Sequence, residues 1–188
     1  MKDRIEKVYA ELKEKGLVKS RLTKSHLVPN LKRSLISGIV YNPKYSHLDK
    51  DVIRFLILHE EGHGRIPIAY PIIFLVFIIT TIIGTFITFN PVLDFILTFI
   101  VFFGILRLFI PILRHDEYKA DRFAVDALIR EYDIDNPEQI VKKALDTLTK
   151  GSKRKTIVSY IYILMPYHPS NVQRIEAVRG AREKKVVG

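Results

Sequence analysis

Two long apolar stretches in the middle of the chain dominate its pattern of hydrophobic and polar positions. Residues 66–93 contain no charged residue, and only Asp94 and Arg107 interrupt the apolar stretch over residues 92–113. Because about 20 apolar residues cross the hydrocarbon core of a bilayer, each stretch is long enough to span a membrane. The rest of the chain is too short to bury two helices that are apolar all round. The pattern therefore predicts a two-helix transmembrane hairpin over residues 66–113.

Signals between and around the two stretches predict the orientation of the hairpin. Asn90 can cap the second helix, and Pro91 fits its first position. The turn between the two stretches, residues 88–91, holds no Lys or Arg. The parts of the chain that flank the hairpin, residues 1–65 and 114–188, are both basic. Under the positive-inside rule, both termini lie in the cytoplasm and the turn lies outside. We expect the two flanking parts to form one cytoplasmic domain that the hairpin interrupts.

Shorter patterns in the flanking parts predict several helices and a little sheet. Helical periodicity and capping signals predict helices over residues 2–15, 47–64, 114–130 and from Pro137 to about Lys150, and a last helix opened by a Ser170–Gln173 capping box. Ser46 followed by Asp49 is the start signal of the second of these helices. The best strand signal covers residues 35–41, and residues 156–165 are ambiguous between buried helix and strand. The predicted fold class is α+β, mainly helical, with a small β-sheet.

Composition narrows the chemistry that the chain can carry. Its net charge is +10, but it has no nucleic-acid-binding motif and no basic stripe interleaved with aromatic residues, so no nucleic-acid partner is expected. Attraction to anionic headgroups explains the charge more simply and makes the lipid bilayer the expected partner. The chain has no cysteine, so a metal site would have to use histidine and carboxylate ligands.

The strongest chemical signal is the sequence His59-Glu60-Glu61-Gly62-His63. On a helix, His59 and His63 project from one face and can bind one tetrahedral metal ion. Glu60 lies one step round the helix, where it can act as general base toward a water that the metal activates. The apolar stripe of this helix runs into both histidines, which predicts that the motif lies on the buried face.

A metal site needs a third protein ligand, and the helix over residues 114–130 offers Glu117 and Asp121. The two carboxylates are four positions apart and flank Ala120 and Ala124 on the apolar stripe. Burying them is costly unless each is paired or binds a cation. Glu117 on the metal, with Asp121 accepting the second N–H of a ligating histidine, would compensate both charges. The alternative is a solvated face on which both pair with neighbouring basic residues.

Two other residues compete with Glu117 for this site, and two further histidines do not. Asp116 and His115 compete for the ligand role, but the helical period points them away from the apolar stripe. His26 and His47 lie in loop-like sequence and are interpreted as surface residues. The predicted third ligand is therefore Glu117.

Three ordered motifs make the chain resemble the HtpX and CAAX-prenyl-endopeptidase family of integral-membrane zinc metalloproteases. They are H-E-x-x-H at residues 59–63, E-x-x-A-D at residues 117–121, and His168-Pro169 followed by Arg174. Glu61 departs from the pattern, because the family commonly has an apolar residue there. The resemblance implies a zincin-like catalytic domain.

The resemblance also implies roles for individual residues and one Zn²⁺ ion per chain. The set comprises the zinc ligands His59, His63 and Glu117, the general base Glu60, and Asp121 behind the ligands. His168 and Arg174 are placed near the substrate, where they could steady the oxyanion.

These residues predict a membrane-embedded zinc metalloendopeptidase. Its substrates would be membrane proteins or membrane-adjacent peptides, because His63 lies only three residues before the first predicted span. The strand over residues 35–41 is interpreted as an exposed edge that binds the substrate as an added strand at Ile36, Gly38 and Val40. Two alternatives stay open. One is a membrane adaptor or chaperone-like binder with a structural or degenerate metal site, and the other is a lipid-surface binding protein in which H-E-x-x-H is a chance match.

Overall fold

The chain folds mainly into helices, with one small sheet packed beside them. The computed structural model describes residues 3–34, 38–64, 69–87, 90–151 and 168–187. Its helices are α1 (Arg4–Glu14), α2 (Lys50–Gly62), α3 (Ala69–Ile87), α4 (Pro91–Tyr132), α5 (Pro137–Gly151) and α6 (Asn171–Val187). Its strands are β1 (Leu22–Lys24), β2 (Lys32–Ser34) and β3 (Gly38–Tyr41). The predicted class, mainly helical with a small sheet, is confirmed, whereas the ambiguous stretch 156–165 lies outside the described residues.

Capping chemistry explains where several of these helices begin. Asp3 accepts the backbone N–H of Glu6, whose side chain accepts the N–H of Asp3 in return, so a capping box opens α1. The predicted capping box between Ser170 and Gln173 is present at the start of α6. Asn90 caps α4 as predicted.

Helix α2 begins later than its sequence predicted. A 3-10 helix, Pro43–His47, takes up the residues before it and contains Ser46. Leu48 is then extended with ψ 158, and Asp49 occupies the N-cap position. The predicted capping-box start at Ser46 is therefore wrong, because the chain makes a separate short turn there. The predicted apolar stripe of α2 is buried, including Val52, Phe55 and Leu56.

Strand β3 lies in the middle of the sheet, so the predicted exposed edge strand is wrong. Its neighbours are β1, which is parallel to it, and β2, which is antiparallel. Val40 is paired with a strand on each side, and Gly38 is paired with Ser34 of β2. This strand therefore cannot take an added substrate strand as predicted, and Ile36 lies outside the described residues. Burial of Ile39, Val40 and Tyr41 is typical of a central strand. The sequence indicates short strands and turns over residues 17–45, but it does not show that two of them flank β3, because β1 and β2 are three-residue strands of mostly polar residues.

Helix α4 is one continuous element of 42 residues rather than a membrane span followed by a separate helix. The break predicted near Arg114 is absent, and Pro111 is accommodated inside the helix. Its N-terminal half is apolar and its C-terminal half carries Glu117 and Asp121. A change in hydrophobicity along a sequence therefore does not by itself end a helix.

Among the described helices, α4 is the one that is long and apolar enough to cross a membrane. Only 6% of its most apolar 18-residue window is buried, so it does not resemble the core helix of a soluble protein. α3 packs against it and contains a shorter apolar run, Leu75–Gly84. The hairpin predicted over residues 66–113 thus has direct support from one helix.

Helices α2 and α4 approach each other most closely at Gly62 and Ala120. A Cβ atom added at Gly62 would lie 2.9 Å from the Cα atom and 3.0 Å from the carbonyl oxygen of Ala120. Both atoms belong to the backbone, so no side-chain rotation can relieve the contact. The glycine therefore sets the distance between the histidines of α2 and the carboxylates of α4.

Gly62→Ala should push the two helices apart. We expect a loss of about 1–3 kcal/mol of stability, as for other overpacked sites, and weaker metal binding. Gly180→Ala in α6 is the matched control, because its added Cβ would have no neighbour within 4 Å. Thermal unfolding of the two detergent-solubilised variants makes the comparison, and equal unfolding temperatures would contradict the close approach.

Glu61 ties the start of the sheet to α2. Its two carboxylate oxygens accept the backbone N–H groups of Lys19 and Ser20 at 3.1 and 3.3 Å. The guanidinium of Arg33 in β2 lies 3.6 Å from the same carboxylate, and its Nη1 donates to the carbonyl oxygen of Glu60 at 3.0 Å. The residue that departs from the family pattern therefore has a structural role in this chain.

Glu61→Leu should leave the N–H groups of Lys19 and Ser20 without this acceptor. Removing one partner of such bonds costs about 1–3 kcal/mol, and the exposure of Lys19 places the expected loss at the lower end. Thermal unfolding and hydrogen exchange at these two amides measure the effect. Glu14→Leu, at an exposed position on α1, is the control, and unchanged exchange in the Glu61 variant would argue against the anchor.

Candidate metal centre

Helix α2 presents both histidines of the motif to the same point. The Nε2 atoms of His59 and His63 are 3.1 Å apart, as expected for residues four positions apart on a helix. His59 is buried, with 6% of its surface exposed. His63 is the C-cap residue of α2 and is partly exposed. The Nε2 atoms of the two imidazoles therefore meet at one point, although the residues lie one helical turn apart.

Helix α4 brings Glu117 to the same position. Its Oε2 atom lies 3.7 Å from Nε2 of His59, and its Oε1 atom lies 3.6 Å from Nε2 of His63. The potential ligand atoms of the three residues all lie within 4.8 Å of one another. Ligands about 2.0–2.1 Å from a tetrahedral ion are roughly 3.4 Å apart, so the spacing suits one metal ion. The structure therefore assembles the three predicted ligands.

Asp121 lies directly behind this group. Its Oδ1 atom is 2.9 Å from Nδ1 of His59, and its two oxygens accept hydrogen bonds from Nε and Nη2 of Arg174 at 2.7 and 2.5 Å. Glu117 and Asp121 are buried, with 7% and 1% exposed. The alternative in which these carboxylates lie on a solvated face is therefore wrong.

Asp116 also reaches the centre, although its sequence position pointed away from it. Its Oδ2 atom lies 2.8 Å from Nδ1 of His63. The helical period placed it off the apolar stripe of α4, and only the crossing with α2 brings it to the histidine. No pattern along the sequence carries that information. His115, its competitor, is exposed, as are His26 and His47.

The third motif lies on the other side of Glu117. Nδ1 of His168 is 3.0 Å from Oε1 of Glu117, and 47% of the histidine side chain is exposed. Arg174 is buried, and its Nη1 atom lies 3.4 Å from Oε2 of Glu117. His168 and Arg174 therefore both lie at the centre, but the guanidinium of Arg174 forms its hydrogen bonds with Asp121.

Charge compensation keeps Glu117 ionised inside the protein. Burial alone would raise its pKa, but His168, His59 and Arg174 outweigh it and lower the pKa to about 2. At His59, burial favours the neutral ring, but the bond to Asp121 outweighs this effect and raises the pKa. Metal binding at this histidine would therefore compete with a proton.

Glu60 lies beside the three ligands, and its charge interacts with theirs. Burial raises its pKa, while the neighbouring His59 and His63 partly oppose that change. Its Oε2 atom accepts the backbone N–H of Arg33 at 2.6 Å. A carboxylate with a raised pKa and a fixed orientation suits proton transfer near neutral pH.

Comparison with known proteins identifies the family. A model of peptidase family M48 matches residues 27–182, a range that contains all three motifs. No curated protein and no solved structure gives a match. The family match confirms the relationship that the motifs indicated. Because it covers most of the chain, this protein belongs to peptidase family M48, a family of metallopeptidases.

Proposed function

We propose that the protein is a membrane-embedded zinc metalloendopeptidase that hydrolyses peptide bonds of membrane or membrane-adjacent proteins. The observation that carries this proposal is the meeting of His59, His63 and Glu117 beside the carboxylate of Glu60. Metallopeptidase activity follows from the family. The metal, the mechanism and the substrates are the further steps of the proposal.

The donor set supports zinc as the metal. Two imidazole nitrogens and one carboxylate, with a fourth position left for water, are typical of catalytic zinc sites. The Nδ1 atoms of both histidines contact carboxylates, which leaves each Nε2 atom free to bind the ion. When bound, zinc supplies Lewis-acid chemistry by lowering the pKa of water to about 7 and polarising the scissile carbonyl.

The protein's own groups provide the proton transfers and the orientation. Glu60 takes a proton from the attacking water and later delivers it to the leaving nitrogen. His168 contacts Glu117 through Nδ1 and is half exposed, and in this proposal its other ring nitrogen donates to the developing oxyanion. Arg174 acts differently from the sequence-based hypothesis, because its bonds to Asp121 make it a positioning residue behind His59.

Strand β2 is the better candidate for the substrate-binding edge. It is an edge strand of the sheet and is paired only with β3 among the described strands. The backbone N–H of its residue Arg33 donates to Glu60. An extended peptide bound beside β2 would therefore pass close to the general base, which already accepts the N–H of Arg33. Binding of this kind recognises mainly the peptide backbone and reads few side chains.

The apolar half of α4 supports a membrane location. Large apolar side chains on it are exposed, including Val92, Phe95, Phe99 and Ile100. A contiguous exposed apolar surface of this kind needs a nonaqueous environment. We propose that α3 and α4 form the two-span hairpin and that the basic flanking parts lie in the cytoplasm.

Glu60→Gln should abolish cleavage of a membrane-protein substrate while zinc stays bound. Loss of a general base lowers kcat by about 10²–10⁴-fold, whereas the three ligands remain. Glu117→Ala should lose both zinc and activity. Zinc content by mass spectrometry and cleavage in detergent or proteoliposomes measure the two effects, with Glu14→Gln as the control.

The outcomes of this experiment separate the proposed enzyme from its alternatives. Undiminished activity of the Glu60 variant would rule out the general-base role. A parent protein that holds zinc but cleaves no substrate would favour the adaptor with a structural metal site. A parent protein that binds no metal, even with zinc supplied, would favour an adaptor with a degenerate site, because the family match argues against a chance motif.

Labelling of single introduced cysteines can test the membrane topology, because the chain has no cysteine of its own. Asn90→Cys should react with a membrane-impermeant maleimide in intact cells, because it precedes α4 at the outer turn. Lys24→Cys in β1 should react only after lysis. Labelling of Lys24→Cys in intact cells would contradict the proposed orientation, and the parent chain supplies the unlabelled control.

A further inference from the structure

The pair formed by His63 and Asp116 resembles the pair formed by His59 and Asp121, although no sequence motif marks it. Nδ1 of His63 lies 2.8 Å from Oδ2 of Asp116, and Nδ1 of His59 lies 2.9 Å from Oδ1 of Asp121. Both aspartates lie on α4, one on each side of Glu117 in sequence. Each histidine therefore has a carboxylate partner on the helix that also supplies the third ligand.

A carboxylate on Nδ1 selects one tautomer of an imidazole. A carboxylate oxygen beside Nδ1 acts as an acceptor, which favours the tautomer of His63 with its proton on Nδ1 and its lone pair on Nε2. Nε2 of His63 is the atom that faces Nε2 of His59 at 3.1 Å and Oε1 of Glu117 at 3.6 Å. Asp116 thus directs the ligating nitrogen toward the other two ligands.

The position of His63 explains why such a partner matters. His63 is the C-cap residue of α2, and Gly64 after it has a positive φ of 60°. Its side chain is 18% exposed, compared with 8% for His59. Helix ends fray more readily than helix interiors, so the helix alone holds the ring of His63 less firmly.

We propose that Asp116 is a positioning residue that holds His63 in its metal-binding orientation and thereby strengthens metal retention. This inference rests on the proposed metal site. Asp116 is not proposed as a ligand, because its Oδ2 atom is engaged with Nδ1 of His63. The residue acts on the ion only through that ring.

Zinc affinity of the full-length, detergent-solubilised protein tests the inference. Competition with a chromophoric chelator at fixed pH should show affinity about 10–100-fold weaker in Asp116→Ala, as for other partners of ligating histidines. One zinc per chain should still bind at saturation. Asp116→Asn should lose less, because its amide oxygen still accepts the N–H of Nδ1.

Two matched variants and one further measurement make the result specific. Asp146→Ala removes an exposed carboxylate from α5 and should leave zinc affinity unchanged, whereas Glu117→Ala should abolish stoichiometric binding. The unfolding temperature of metal-free Asp116→Ala should match that of the metal-free parent, since the proposed role is exerted on the ion. A lowered metal-free unfolding temperature that accounts for the weaker binding would overturn the proposal in favour of a purely structural role.

The remaining outcomes are distinct from one another. Parental affinity in Asp116→Ala would overturn the inference and leave the proposed enzyme intact. Loss of all zinc, as in Glu117→Ala, would overturn it by making Asp116 a ligand. Failure of the parent to bind zinc would refute the metal site itself, together with everything that depends on it.

Discussion

The close approach of α2 and α4 is the constraint on which the metal centre depends. Each helix alone carries only part of a site, with two histidines on one and a row of carboxylates on the other. At Gly62 and Ala120 the backbones come so near that no side chain separates them. The reach of an imidazole and of a carboxylate is then enough to close the remaining gap. Small residues in the middle of the crossing are thus as necessary as the ligands.

The same close approach buries two carboxylates, and the rest of the domain must compensate their charge. Glu117 and Asp121 are buried together with His59, and isolated charges in such surroundings are strongly disfavoured. Arg174 from α6 compensates Asp121 and lies near Glu117 as well. The last helix therefore belongs to the centre, because it supplies the positive charge that lets two acidic side chains stay ionised there.

The sequence patterns and motifs predicted most of the helices and the meeting of His59, His63 and Glu117, whereas contacts that no motif marks were missed. The apolar stripe that runs into His59 and His63 indicates both a helix and its buried face, and the spacing of Glu117 and Asp121 does the same for α4. Asp116 could not be found this way, because its contact with His63 depends on the crossing of two helices. The central position of β3 was missed for a similar reason, since its neighbours β1 and β2 carry few β-forming residues and depend on β3 for pairing.

The continuity of α4 has a consequence for where a peptide is cut. Glu117 follows Leu113 in one unbroken helix, and four residues of helix rise about 6 Å. An extended peptide advances about 3.3 Å per residue. In the proposed arrangement, with the apolar half embedded in lipid, only the first few residues of a substrate that emerge from the bilayer would come within reach of His59, His63 and Glu117. The length of helix between the lipid surface and Glu117 would then determine which peptide bond is cut, namely the one at that height above the bilayer.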